Sequence, residues 1–106
     1  MGPKTAELIR VLDQIASLLN KEGVDHWCRW ACKARARLLD SDYSGIEYVL
    51  SAYGGMGSFN DLVLGQKYED GMFSTTPDYV FLNDKLEKLR SDAGRLAEEI
   101  RMSQKP

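Results

Sequence analysis

The segment YGGMGSFND, residues 53–61, gathers the residue types that could do chemistry. Three glycines can bring backbone N–H groups close to an anion, and Ser58, Asn60 and Asp61 supply polar side chains. A Walker phosphate loop needs a lysine directly after its last glycine. Here Gly57 is followed by Ser58, and the next lysine is Lys67. A dinucleotide fingerprint counted from Gly55 and Gly57 would need glycine or alanine where Asn60 stands. An isolated anion at a helix start after Ser58 would meet Asp61 in the same turn. The nucleotide readings therefore fail on pattern.

The other reactive side chains are equally sparse. Cys28 and Cys32 sit four apart in HWCRWACK, and the single histidine, His26, precedes Cys28 by two. On a helix the cysteines share a face and His26 points away from them. Zinc would need two further ligands, so the cysteines are expected as free thiols packing like small apolar groups. Nucleophilic catalysis would have only His26 as its base. Asp40 and Asp42 resemble the start of a calcium loop, but DSDYSGIEYVLS ends in Ser51 where that loop needs glutamate. The basic run RWACKARAR places Arg29, Lys33 and Arg37 in one stripe. Nucleic-acid binding is disfavoured because the whole chain is acidic, with net charge −2. No catalytic residue, metal or cofactor is expected, and an enzymatic role is left open but not favoured.

The elements that must hold these residues read mainly as helix. Residues 4–22 carry Leu8, Leu12, Ile15 and Leu19 at helical spacing, and Gly23 ends the run. A second helix over 25–39 would begin at Asp25 as its cap and bury Trp27, Ala31, Ala34 and Leu38. A third begins at Ser44, where Ser44 and Glu47 fit a capping box. It presents Ile46, Val49, Leu50 and Tyr53, and stops at Gly54 or Gly55. Ser58 or Asn60 can cap a short turn through FNDLVL. Residues 65–76 have no helical period and read as a loop with at most a short extended piece. Thr76 then caps a long helix over 77–102 with Pro77 at its first position, or the helix restarts at Asn83 and Asp84. Tyr79, Leu82, Leu86, Leu89, Ala93, Leu96 and Ile100 keep a heptad seam along it, and Gly94 weakens it locally. The expectation is an all-α, four-helix bundle-like single domain over residues 1–106. An irregular, acidic, glycine-bearing region precedes the last helix.

Apolar residues make up 43% and charged residues 28% of the 106 residues, an ordinary globular balance. The first helix is amphipathic and carries Lys4, Glu7, Arg10 and Asp13, which argues against a signal peptide or membrane span, so a cytoplasmic location is expected. Charge is uneven: residues 1–39 carry net +3, residues 40–80 net −6, and residues 81–106 net +1. The acidic middle would attract a basic partner surface and repel a nucleic-acid backbone.

The block LLDSDYSGIEYVLSAYGGMGSFNDLVL, residues 38–64, resembles a family of small bacterial proteins of uncharacterised function with an SGIEYVLSAYGGMGSFND core. The resemblance covers about a quarter of the chain. It implies a bacterial cytosolic protein with 53–61 as signature, and it brings no catalytic residues. Size and acidity are also those of bacterial immunity proteins, which is analogy alone. The leading expectation is a protein-binding module of immunity or antitoxin type, facing a basic partner. Its contact residues would be Asp40, Asp42, Tyr53, Met56, Ser58, Phe59, Asn60 and Asp61, on a loop shaped by Gly54, Gly55 and Gly57. Phe59 is expected buried and Met56 partly exposed. The alternatives are a ligand-binding protein or enzyme with a pocket under 53–61, and a structural homo-oligomer joined through the 79–100 helix.

Overall fold

The computed structural model describes residues 2–53 and 58–103. Its elements, in chain order, are α1 (Pro3–Lys21), α2 (Asp25–Leu39), α3 (Ser44–Ser51), a single 3-10 turn (Phe59–Asp61), β1 (Gln66–Glu69), β2 (Met72–Thr75) and α4 (Tyr79–Ser103). The protein is therefore mainly helical, with one small antiparallel sheet. α1 packs against α2 and α4, and α3 packs against the same two helices.

The apolar stripes explain this packing. Leu8, Leu12, Ile15 and Leu19 of α1 are fully buried, and they meet Leu82, Leu86, Leu89, Ala93, Leu96 and Ile100 of α4, none more than 6% exposed. The heptad seam is thus engaged inside one chain, and an association through it would find no open stripe. Tyr79, its first position, is only partly buried. In α2 the deepest aromatic is Trp30, at 5% exposure, and Trp27 packs at the margin of the core. The sequence had assigned that inner place to Trp27. No helix among the described residues is long and apolar enough to cross a membrane.

Gly23 ends the first helix as expected, and the caps of the next two differ from the expected ones. After α1, Gly23 takes a left-handed φ of 74°. The Val24 N–H then bonds to the Leu19 carbonyl at 2.9 Å and the Gly23 N–H to that of Asn20 at 3.2 Å. α2 ends in the same hydrogen-bond pattern around Ser41, whose φ is 58°. There the Asp42 N–H reaches Arg37 O at 2.9 Å and the Ser41 N–H reaches Leu38 O at 3.0 Å. Asp25 is the first residue of α2 rather than its cap. Tyr43 stands at the N-cap of α3 and Ser44 is its first residue, so the Ser44–Glu47 box does not form; Asp42 Oδ1, just ahead, accepts the Ser44 N–H at 2.9 Å.

The largest correction lies between the third and last helices. Residues expected as loop form a β-hairpin, in which Gln66 pairs with Thr75, Lys67 with Ser74, Tyr68 with Phe73 and Glu69 with Met72. Asp70 and Gly71, with φ of 52° and 77°, make its two-residue turn. Positive φ at both central positions is the turn whose twist matches antiparallel strands. Thr76 belongs to this hairpin, because its N–H bonds to the Gly65 carbonyl at 2.7 Å. Its hydroxyl donates to Asp78 Oδ1 at 2.8 Å, so α4 begins at Tyr79 and Pro77 lies in the lead-in turn.

Candidate functional site

Two regions compete for a functional role, and residue geometry separates them. The first is the 53–61 segment. Gly54, Gly55, Met56 and Gly57 lie outside the described residues, but both flanks are fixed. Phe59 is 0% exposed. Its ring lies 4.8 Å from Trp30, 5.1 Å from Trp27 and 6.0 Å from Tyr53, centroid to centroid. This puts Phe59 at the centre of an aromatic cluster, not among surface anchors. The Phe59 N–H bonds to the Ala52 carbonyl at 2.9 Å, which ties the two flanks of the segment together.

Arg90 of α4 fastens the later flank, Phe59 to Leu62. Its Nη1 donates to the carbonyls of Phe59 at 2.9 Å and Leu62 at 3.2 Å. The guanidinium stands 5.8 Å over the Phe59 ring and pairs through Nη2 with Glu87. The hydrogen bond and charge of Arg90 hold the Glu87 carboxyl below its usual range. Tyr53 is partly buried and its hydroxyl donates to the Arg90 carbonyl at 2.7 Å. Burial pushes its phenol well above the ordinary value, opposed in part by Arg90. Gly94 makes room for it: a Cβ there would lie 3.2 Å from the Tyr53 ring.

The remaining expected contact residues are scattered in role. Asn60 and Asp61 are exposed in the 3-10 turn. Ser58 is partly buried, and its Oγ has no hydrogen-bond partner among the described residues. Asp40 and Asp42 are exposed in the α2–α3 turn, and the bond from Ser44 lowers the Asp42 pKa. Asp42 also lines a cleft of about 220 Å³ with Thr5, Leu38, Tyr43 and Ile100. That volume is below the usual range for small-molecule sites, about 300–1,000 Å³.

Of the groups tested for catalysis, Cys28 is half-buried, whereas Cys32, expected to pack as a small apolar group, and His26 are exposed. Cys28 and Cys32 are free thiols. Burial and the neighbouring Cys32 raise the Cys28 pKa, the opposite of what a nucleophilic thiolate needs. His26 meets the Trp27 ring edge-on at 4.8 Å. Among the described residues no cluster of His, Cys, Asp or Glu is placed to hold a metal ion. The basic stripe of α2 lies partly on an aromatic ring, with Lys33 Nζ 5.4 Å and Arg37 Cζ 4.5 Å from the Tyr48 centroid.

The second region is one that sequence reasoning missed. All eight residues of the hairpin strands are exposed. Tyr68 is 72%, Met72 73% and Phe73 61% exposed, and in α4 Val80 is 69% and Phe81 67% exposed. The chain is tied to α4 at Leu64, just ahead of the hairpin. The Asn83 side chain accepts the Leu64 N–H at 2.8 Å, donates to the Leu64 carbonyl at 2.9 Å and donates to the Tyr79 carbonyl at 2.8 Å. Gly65 sits so close that a Cβ would come within 2.7 Å of Thr76 Oγ1 and 3.3 Å of Tyr79 Cα. The signal available in sequence was Asp70–Gly71 between two short runs, a two-residue hairpin turn.

No curated protein and no solved structure matches the chain. Residues 20–70 match a family model described as a domain of unknown function (DUF6966), a span that takes in α2, α3, the 3-10 turn and β1.

Proposed function

We propose that the protein is a protein-binding module whose contact surface is the hairpin and the first turn of α4. The observation that carries this reading is a hairpin solvated on both faces that exposes Tyr68, Met72 and Phe73. A two-stranded hairpin is marginal alone in water, and large exposed apolar side chains mark contact surfaces. Aromatic residues and methionine are also the types enriched at interface centres. Residues 66–84 carry four acids (Glu69, Asp70, Asp78 and Asp84) against one lysine. The partner accordingly has a basic rim around an apolar centre. The more specific form of the proposal is an immunity or antitoxin-type neutraliser, supported by this acidic rim.

Site-specific photo-crosslinking tests the proposal. A photoreactive phenylalanine at Phe73 should capture one discrete protein in the native cells. The same group at Asn60 should capture little. Capture from Asn60 alone would return the contact surface to the 53–61 loop.

A further inference from the structure

The outer edge of β1 has a self-complementary pattern. The 2.7 Å bond from the Thr76 N–H to the Gly65 carbonyl marks 65/76 as a hydrogen-bonded pair of the antiparallel ladder. Bonded and non-bonded pairs alternate in such a ladder. With the observed register, Lys67/Ser74 and Glu69/Met72 are bonded pairs, while Gln66/Thr75 and Tyr68/Phe73 are not. The peptide groups of Gln66 and Tyr68 therefore point away from β2, to an edge that no other strand among the described residues covers. Every β1 residue is exposed.

We propose that β1 pairs antiparallel with β1 of a second copy, about a two-fold axis at Tyr68, to give a four-stranded sheet. In this register each Tyr68 N–H donates to the Tyr68 carbonyl of the other copy. Lys67 then stands opposite Glu69 of the other copy, and Glu69 opposite its Lys67. These are non-hydrogen-bonded positions, where opposed side chains approach most closely. Charge selects this register. Outward peptide groups at even positions permit register shifts only in steps that keep this parity. A shift one step either way sets Lys67 against Lys67 or Glu69 against Glu69, and like charges opposed across strands are unfavourable. The β2 edge, MFST, has no charge with which to choose a register.

The same pairing orders the aromatic side chains. Tyr68 and Phe73 are cross-strand partners and so lie on one face of the hairpin. Doubling the sheet about Tyr68 extends them into a row, Phe73–Tyr68–Tyr68–Phe73, across four strands. An isologous contact of this kind closes on itself as a dimer. It uses the edge of β1 and leaves the aromatic face open to a different partner.

The test is sedimentation equilibrium on the purified protein alone, from micromolar to hundred-micromolar concentration, with far-UV circular dichroism as the check on folding. The parent should show a monomer–dimer equilibrium. Lys67→Glu and Glu69→Lys each turn two opposed pairs repulsive, and each should weaken the dimer about tenfold. The double variant Lys67→Glu/Glu69→Lys should recover parental dimerisation. An equimolar mixture of the two single variants should form a heterodimer. A strictly monomeric parent overturns the proposal, as does a dimer indifferent to both reversals. Because no other protein is present, this result is separate from whether the hairpin face binds a partner.

Discussion

At the scale of single residues, the flanks of the 53–61 segment are held by three side chains of unlike chemistry. Phe59 fills the aromatic cluster, Arg90 satisfies two carbonyls and Tyr53 bonds to the helix that carries Arg90. Gly94 lowers intrinsic helix stability by about 1 kcal/mol relative to alanine. Its place is explained by the Tyr53 ring, which a Cβ would approach at 3.2 Å. The raised Tyr53 pKa has a definite sign in stability. The folded state keeps the phenol protonated past its ordinary value of 10.0. Its contribution is therefore complete below pH 10 and falls as pH rises, because the unfolded chain releases the proton first. Urea midpoints measured against pH should fall more steeply above pH 10 for the parent than for Tyr53→Phe. At pH 8 the variant should be weaker by about 1 kcal/mol from the lost hydrogen bond. Parallel curves above pH 10 would mean that Tyr53 is not protected from ionisation.

At the scale of elements, Asn83 ties α4 to Leu64 at the entrance to the hairpin. Its amide meets both backbone groups of Leu64, as a neighbouring strand would. Asn83→Ala leaves those groups without their partner and should cost about 1–3 kcal/mol. Hydrogen exchange should accelerate at the Leu64 amide while the α4 amides around Leu89 and Ala93 keep their protection. Unchanged exchange at Leu64 would sink the clamp. The helices were legible in sequence because each buries one stripe at helical spacing: Leu8 to Leu19 in α1, Leu82 to Ile100 in α4. The hairpin was not, since neither face is buried and alternation along QKYE and MFST carries no burial signal. Only Asp70–Gly71 spoke for it. Asn83 read as a possible helix restart, and Gly94 as a local weakness. The reasons for both are tertiary contacts with Leu64 and Tyr53, which no spacing rule contains. The sequence named Tyr53 and Phe59 as partner contacts; their rings meet each other at 6.0 Å in the aromatic cluster.

At the scale of the whole molecule, the apolar and acidic surfaces meet at one element pair. The described structure extends 55 Å along its longest axis and 20 Å along its shortest. The net −6 of residues 40–80 includes Glu69, Asp70 and Asp78 beside exposed Tyr68, Met72 and Phe73. On our account apolar contact holds the partner and the acids steer it, so association should slow as salt rises. The central claim is that the hairpin and the start of α4, rather than the 53–61 loop, bind that partner. The most direct measurement is the partner's dissociation constant, by calorimetry, for two variants that retain parental circular dichroism. Tyr68→Ala/Phe73→Ala removes the apolar centre and should weaken binding at least about thirtyfold, given that buried aromatic anchors each contribute about 2 kcal/mol or more. Asn60→Ala/Asp61→Ala should stay within about threefold of the parent, as peripheral contacts do. Full affinity in the first variant with loss in the second would contradict the account.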